Sequence, residues 1–472
     1  MTEIWQWPAL EIAETIARRE VTSEEVVRLF YERIERVNPK IGAYVTLCPE
    51  EALEAARAVD QRIAGGETPP NPLFGVPTSI KDLIETRGVR TTHGSTFFRD
   101  YVPPADAVLV ERLKAAGCPI LGKTNTPEFG GKFTTDNQLF PTTRNPWNPE
   151  RTPGGSSGGA AAQIASGMGP LAVGNDGGGS IRVPAHCSGV FGLKPHFGRV
   201  PSWPRYDAWT TLAHEGPITR TVRDAAAMLD IMAGPDDRDR KSLPAAGLNY
   251  LAACEGDLEG LTVAWSPTLG YGRVENEVRE ICGKAARAFE AFGCRVEEDC
   301  PDLPCPEPTY LAVLSSRLAP WLEDMLPEGF REHLDPMVGV LLPGVDQMTA
   351  RDAIRADFGV EQVWDVFRPF FARYNLFLVP TMAAPAWNLE YFSPNEINGE
   401  PLASVLEPFF TFPFNLTGQP AASIPAGFTR DGLPVGLQIV GRRFEEDLVL
   451  RAAACFEAVR PWADRWPEVA FS

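Results

Sequence analysis

The chain has 472 residues, 44% of them hydrophobic, with 26 Phe and 11 Trp, which is enough for a sizeable core in one large α/β unit or two to three domains. Its formal net charge of −18 repels phosphate backbones and anionic lipid, and no Lys/Arg-rich run offsets it. Nucleic-acid and membrane partners are therefore not expected.

The opening stretch MTEIWQWPALEIAE has neither a basic n-region nor an apolar h-region, so no signal peptide is expected. No apolar run approaches the ~18 residues of a membrane span. The nine cysteines include no C-x-x-C pair, and an odd count without zinc spacing predicts reduced thiols in a cytoplasmic protein. Cys300 and Cys305 are close enough to pair under oxidation.

Residues 1–65 read as helices. Pro8 suits a first helical position, and Thr22 with Glu25 makes a capping box. Val26, Phe30, Ile34 and Val37 then share one face at helical period. After GGETPPNP, residues 70–225 turn rich in Gly, Pro and short apolar runs such as PILG, PLAVG and GVFGL. These predict buried strands separated by small-residue helices. Residues 230–370 are more charged, with stretches such as EVREICGKAARAFEAFG, and are expected to form a peripheral helical cover. The small apolar pattern returns over 374–455 (NLFLVPTMAAP, GQPAASIPAG, LPVGLQIVG). The two Gly/Pro-rich regions are expected to build one sheet within a single domain, 1–472.

Three motifs compete for the chemistry. GCPILGKT at 117–124 fits the P-loop pattern, but a helix precedes it and a strand follows. That is the inverse of what a phosphate loop needs, so a helix-to-strand turn is expected. GGSSG at 154–158 fits the nucleophile elbow G-x-S-x-G. NPWNPERTP before it cannot be the required strand, and no histidine lies beyond His333. The third reading needs no histidine. In FGVPTSIKDL, Val76, Thr78 and Ile80 make a strand-like run closed by Lys81; alone, Lys81 beside Asp82 reads as a surface ion pair. A Ser/Ser/Lys relay needs a base, a shuttle hydroxyl and a nucleophile beside backbone donors. GGGS at 177–180 can aim successive amides at one point.

GVPTSIKD, GKTNTPEFG, TRNPWNPERTPGGSSGGAAAQIASG, GNDGGGSIRVPA, GVFGLKP, GPITRTVRD, FNLTGQPAASIPAGF and GLPVGLQIVG, in that order, make the chain resemble the amidase signature family. The resemblance implies an α/β fold with a central mixed sheet covered by helices. It implies a Ser–cis-Ser–Lys triad of Ser180 (nucleophile), Ser156 (shuttle, after a cis peptide bond) and Lys81 (base). An oxyanion hole of amides around Gly177, Gly178, Gly179 and Ser180 follows, with Ser157, Asp176 and Arg182 as support. Lys81 must then be neutral, and drawing a lysine from near 10.4 to about 7 takes roughly 4.6 kcal/mol from burial and hydrogen bonding. Asn175 departs from the Thr of many relatives, which bears on loop support. Gly130 and Gly131 fall where relatives line the leaving-group side, predicting room for a bulky amine or aryl group.

Trp203, Tyr206 and Trp209 in SWPRYDAWTTLAHEGP depart from the amidotransferase-type pattern and read equally as an aromatic acyl pocket or as core. The expected function is hydrolysis of small amides, anilides and aryl carbamates among them, by a monomer or homodimer without cofactor or metal. The alternatives are a glutamine-hydrolysing subunit of a tRNA-dependent amidotransferase and a non-catalytic binding protein.

Overall fold

Three helices open the chain, Ala9–Ala17, Ser23–Ile41 and Pro49–Ala64, in a computed structural model that describes residues 3–204, 209, 211–340, 342 and 346–472. Thr22 caps the second helix: its side chain accepts the Glu25 amide, and Glu25 reaches back to the Thr22 amide, satisfying two donors that a helix start leaves open. Val26, Phe30, Ile34 and Val37 form its buried face. Pro8 stands one residue ahead of the first helix rather than at its first position. The opening segment also holds a strand absent from the helical reading, β1 (Tyr44–Leu47). Four residues at a sheet edge are too few to display a period.

Ten further strands join β1 in one sheet: β2 (Thr78–Lys81), β3 (Ile120–Thr124), β4 (Leu171–Asp176), β5 (Phe191–Lys194), β6 (His214–Thr219), β7 (Thr262–Trp265), β8 (Arg295–Glu298), β9 (Leu376–Pro380), β10 (Ala421–Phe428) and β11 (Pro434–Gly441). The spatial order is β1-β3-β2-β4-β6-β5-β10-β11-β9-β7-β8. β2 pairs in parallel with β3 and β4, whereas β4–β6, β5–β10 and β10–β11 are antiparallel. The sheet is thus mixed, and residues 70–225 and 374–455 do share it. The segment 230–370 is mostly helical but also reaches into the sheet. Besides helices Asn276–Arg287, Glu307–Met325 and Ala350–Arg373, it supplies β7 and β8, whose four-residue runs TVAW and RVEE are submerged in charged helical sequence.

Helix Val108–Ala115 runs through a left-handed Gly117 into β3, so GCPILGKT is a helix-to-strand turn. Its Lys123 is buried and donates to Thr86 Oγ1 (2.9 Å), Thr91 Oγ1 (3.0 Å) and the Ile84 carbonyl, which leaves no phosphate-facing ammonium there. Among the described residues no helix is long and apolar enough to cross a membrane. Cys300 is half-buried and Cys305 exposed, both as free thiols.

Because β2, β3 and β4 are parallel neighbours, their carboxyl ends lie along one edge, where open α/β sheets gather ligands. Lys81 ends β2, and Asn175 and Asp176 end β4.

Candidate active site

β2 is buried along its length, and Lys81 is 0% exposed. A buried ammonium side chain demands polar partners. Nζ lies 2.6 Å from Ser156 Oγ and 2.6 Å from Asn175 Oδ1. Asp82, expected as a surface ion-pair partner, is buried and turns to Thr92, accepting its amide at 3.1 Å and its hydroxyl at 2.5 Å.

Ser156 sits in the glycine-rich loop between Pro153 and helix Gly158–Ala165. The Gly155–Ser156 peptide bond is cis. A Cβ at 155 would run into the backbone of Phe133 and Thr134, so close packing calls for glycine. The Ser157 amide donates to the Ser180 carbonyl at 3.1 Å and its hydroxyl to the Asn175 carbonyl at 3.1 Å, tying the two serine loops together. Ser156 (2% exposed) and Ser180 (7%) open onto one narrow cleft with Leu83, Gly130, Asn175, Gly177 and Trp209.

Asp176 and Arg182 organise the second loop. The Asp176 carboxylate accepts Arg182 Nε (2.9 Å) and Nη2 (2.8 Å), Asn415 Nδ2 (2.9 Å) and the Ile181 amide (3.1 Å). Burial works to raise its pKa, but the charge and hydrogen bonds of Arg182 outweigh burial and hold it well below the usual carboxylate range. Arg182 is fully buried and also donates to the Thr411 carbonyl (2.8 Å) and Gln438 Oε1 (2.7 Å). The Gly179 amide donates to Asp176 Oδ1 at 2.7 Å. That donor is spent on loop support, which removes Gly179 from the set expected to face an oxyanion. The amides of Gly177, Gly178 and Ser180 make no hydrogen bond among the described residues.

Each glycine of this loop is packed. A Cβ at 178 would meet the Tyr310 hydroxyl, one at 179 Thr411, and one at 177 lies against the Trp209 ring. Tyr310, Thr411 and Asn415 come from segments far along the chain. Asn415 lies in the FNLTGQP block, whereas no local pattern marks Tyr310 in the helical segment. Asn175, expected to bear on loop support, is instead a direct partner of Lys81.

Two chambers flank the cleft. One of about 430 Å³ is lined by Leu83, Glu85, His93, Trp203, Trp209 and Trp321 among others; Trp203 and Trp209 therefore line a cavity, and Tyr206 lies outside the described residues. The Trp209 indole is anchored by Nε1 donating to the Phe129 carbonyl at 2.9 Å. The other chamber, about 140 Å³, is lined by Gly130, Gly131, Phe133, Tyr310, Leu314 and Leu406 among others. Gly130 (φ +72°) would carry a Cβ 2.9 Å from Leu83 Cδ1 and 3.2 Å from Ser156 Oγ, and Gly131 one 2.9 Å from Val338 Cγ2. Gly130 thus lets the chain approach Ser156 and Leu83 closely and Gly131 lets it approach Val338, and both line the smaller chamber.

No histidine hydrogen-bonds Ser156 or Ser180 among the described residues. His186 is held by the Ala384 carbonyl and the Gly436 amide, and His214 by the Leu212 and Asp176 carbonyls. Burial pushes the His186 imidazole down to about 4.

Residues 25–450 match the Amidase family model. The chain is 41% identical over 461 residues to an acylamidase of Rhodococcus erythropolis, covering 97% of this chain and 96% of that one. It is 37% identical to a glutamyl-tRNA(Gln) amidotransferase subunit of Carboxydothermus hydrogenoformans, over 96% of this chain and 97% of that one. The fold superposes on a bacterial aryl acylamidase of the amidase signature family with a TM-score of 0.92 at 32% identity, over 98% of both chains. It superposes on 6-aminohexanoate cyclic dimer hydrolase with a TM-score of 0.90 at 30% identity, over 99% of this chain and 100% of that one. With the sheet, the paired serine loops and these matches in hand, the chain belongs to the amidase signature family, hydrolases acting on carbon–nitrogen bonds other than peptide bonds.

Proposed function

We propose that the protein hydrolyses small amides, aryl amides and anilides foremost and aryl carbamates among them, through an acyl-enzyme on Ser180. The observation that carries this reading is the 2.6 Å contact of a fully buried Lys81 Nζ with Ser156 Oγ. A serine hydroxyl needs a base to become a nucleophile, and no histidine stands by among the described residues. Lys81, neutral, takes the Ser156 proton as Ser156 takes that of Ser180. Ser180 Oγ then bonds to the carbonyl carbon, and the oxyanion meets the amides of Gly177, Gly178 and Ser180, each worth about 3–4 kcal/mol. The relay runs backwards to protonate the departing nitrogen, the C–N bond breaks, and water repeats the sequence to free the acid.

The aromatic chamber beside Trp209 supports an aryl substrate, as do the likenesses to an acylamidase and an aryl acylamidase. The test is turnover by purified protein of p-nitroanilides, aryl carbamates, short aliphatic amides and glutamine. Aryl amides are expected to give the highest kcat/KM; turnover of glutamine alone would overturn the substrate assignment.

A further inference from the structure

Among the described residues, the larger chamber carries one acidic side chain, Glu85. Glu85 lies four positions after Lys81 in IKDLIE, so the turn that leaves β2 delivers it. His93 lies further along the loop that follows and is fixed by its backbone. Its amide donates to the Asp82 carbonyl at 3.0 Å, and its carbonyl accepts the Phe129 amide at 2.8 Å. The His93 ring packs edge-on to Phe98 at 5.0 Å and parallel to Tyr101 at 6.0 Å. Its Nε2 lies 3.3 Å from Glu85 Oε1.

That contact orients the Glu85 side chain without satisfying it. Oε2 is buried and has no hydrogen-bond partner among the described residues. No lysine or arginine lines the chamber among the described residues, and its other walls are aromatic or apolar, including Phe98, Tyr101, Phe129, Trp203 and Trp321. A carboxylate short of donors, set among ring faces, is complementary to a cation: ring quadrupoles and carboxylate attract the same charge. A neutral alkyl group would gain only the apolar contact, and an anion would be repelled.

We propose that this chamber selects the aromatic half of a substrate by an ammonium group carried on the ring, received by Glu85 with His93 holding the carboxylate in place. Glu85 is then a specificity residue, apart from the Lys81–Ser156 relay. The catalytic readout rests on the amide-hydrolase reading; a binding readout does not.

The experiment compares matched pairs at pH 8, differing only in CH2NH3+ against CH2CH3. The pairs are 4-(aminomethyl)acetanilide with 4-ethylacetanilide, and 4-(aminomethyl)phenylacetamide with 4-ethylphenylacetamide. One pair places the ring on the amine side of the scissile bond, the other on the acyl side. In at least one pair the cation is expected to lead in kcat/KM by about tenfold or more. Glu85→Gln should bring that ratio close to one, while Glu85→Asp, which keeps the charge, should retain part of it. Ser180→Ala is used for calorimetry with 4-methylbenzylammonium, whose binding should weaken about tenfold on adding Glu85→Gln. Ratios near one in both pairs, or a preference that survives Glu85→Gln, overturn the assignment. Charge-selective binding without turnover of any amide overturns the hydrolase reading and upholds the chamber's.

Discussion

Lys81 Nζ donates to Asn175 Oδ1 at 2.6 Å, across two parallel strands paired from Thr78–Leu171 to Ile80–Val173. A neutral lysine has two N–H donors and one lone pair. In the proposed relay, one donor tied to Asn175 helps aim the lone pair at Ser156. Asn175→Asp replaces a neutral acceptor by a charge, which favours the ammonium form by about 4 kcal/mol at an effective dielectric of about 20. The substitution is expected to lower kcat at neutral pH by at least about 10²-fold, with activity recovering about 3 pH units higher. A kcat–pH profile checks this, and an acid limb that does not move contradicts it.

Ser180→Ala and Lys81→Arg test the relay itself. Ser180→Ala removes the proposed nucleophile and should cost at least about 10³-fold in kcat/KM. Lys81→Arg retains a charge that cannot be given up near neutral pH, and should be nearly inactive for that reason. Steady-state kinetics on folded variants decides between this outcome and a binding protein, whose function would survive Ser180→Ala.

Gly178 is held against Tyr310, whose hydroxyl also reaches the Gly177 carbonyl at 3.3 Å. Gly178→Ala should destabilise by about 1–3 kcal/mol through overpacking, and the cost should shrink in a Tyr310→Ala background. Urea denaturation of the double-mutant cycle measures the coupling. Additive costs would show that the two residues do not share this space.

Away from the site, Glu457 Oε2 accepts the Val222 amide at 3.0 Å while Oε1 is buried without a partner among the described residues. Burial pushes its carboxyl up to about 7. The folded form therefore binds a proton that the unfolded chain has released once pH exceeds about 4.5. Stability falls as pH rises from there to about 7, and the loss is complete above it. Glu457→Gln keeps an acceptor for Val222 and carries no charge. It should stabilise by about 1–3 kcal/mol at pH 8 and leave pH 4 unaffected. Thermal melts at the two pH values read the difference; equal gains at both would refute the titration.

His186 carries the opposite sign. With a folded value of about 4 and an unfolded value near 6.5, the unfolded chain binds the extra proton between them. Stability is therefore full above about pH 6.5 and is lost as pH falls towards 4. His186→Gln should flatten that acid slope by about one proton, measured as the pH dependence of unfolding free energy.

Much of the frame is legible from short stretches: the Thr22 cap, the strand ending in Lys81, the turn at Gly117 and the two serine loops. Their conformations are decided by neighbours a few residues away, through capping hydrogen bonds, apolar runs and the freedom of glycine. The pairing of Lys81 with Ser156 is readable only through the resemblance of whole motif blocks to a known family. Folding alone assigned Asn175 to the lysine, took the Gly179 amide for Asp176, and closed Tyr310, Thr411 and Asn415 over the glycines. It also placed Glu85 and His93 in the wall of an aromatic chamber. Apart from the short Asp176–Gly179 and Glu85–His93 loops, these contacts join residues about a hundred or more positions apart, and which side chains meet depends on strand order and on packing in three dimensions, for which no local pattern in the chain is a signal.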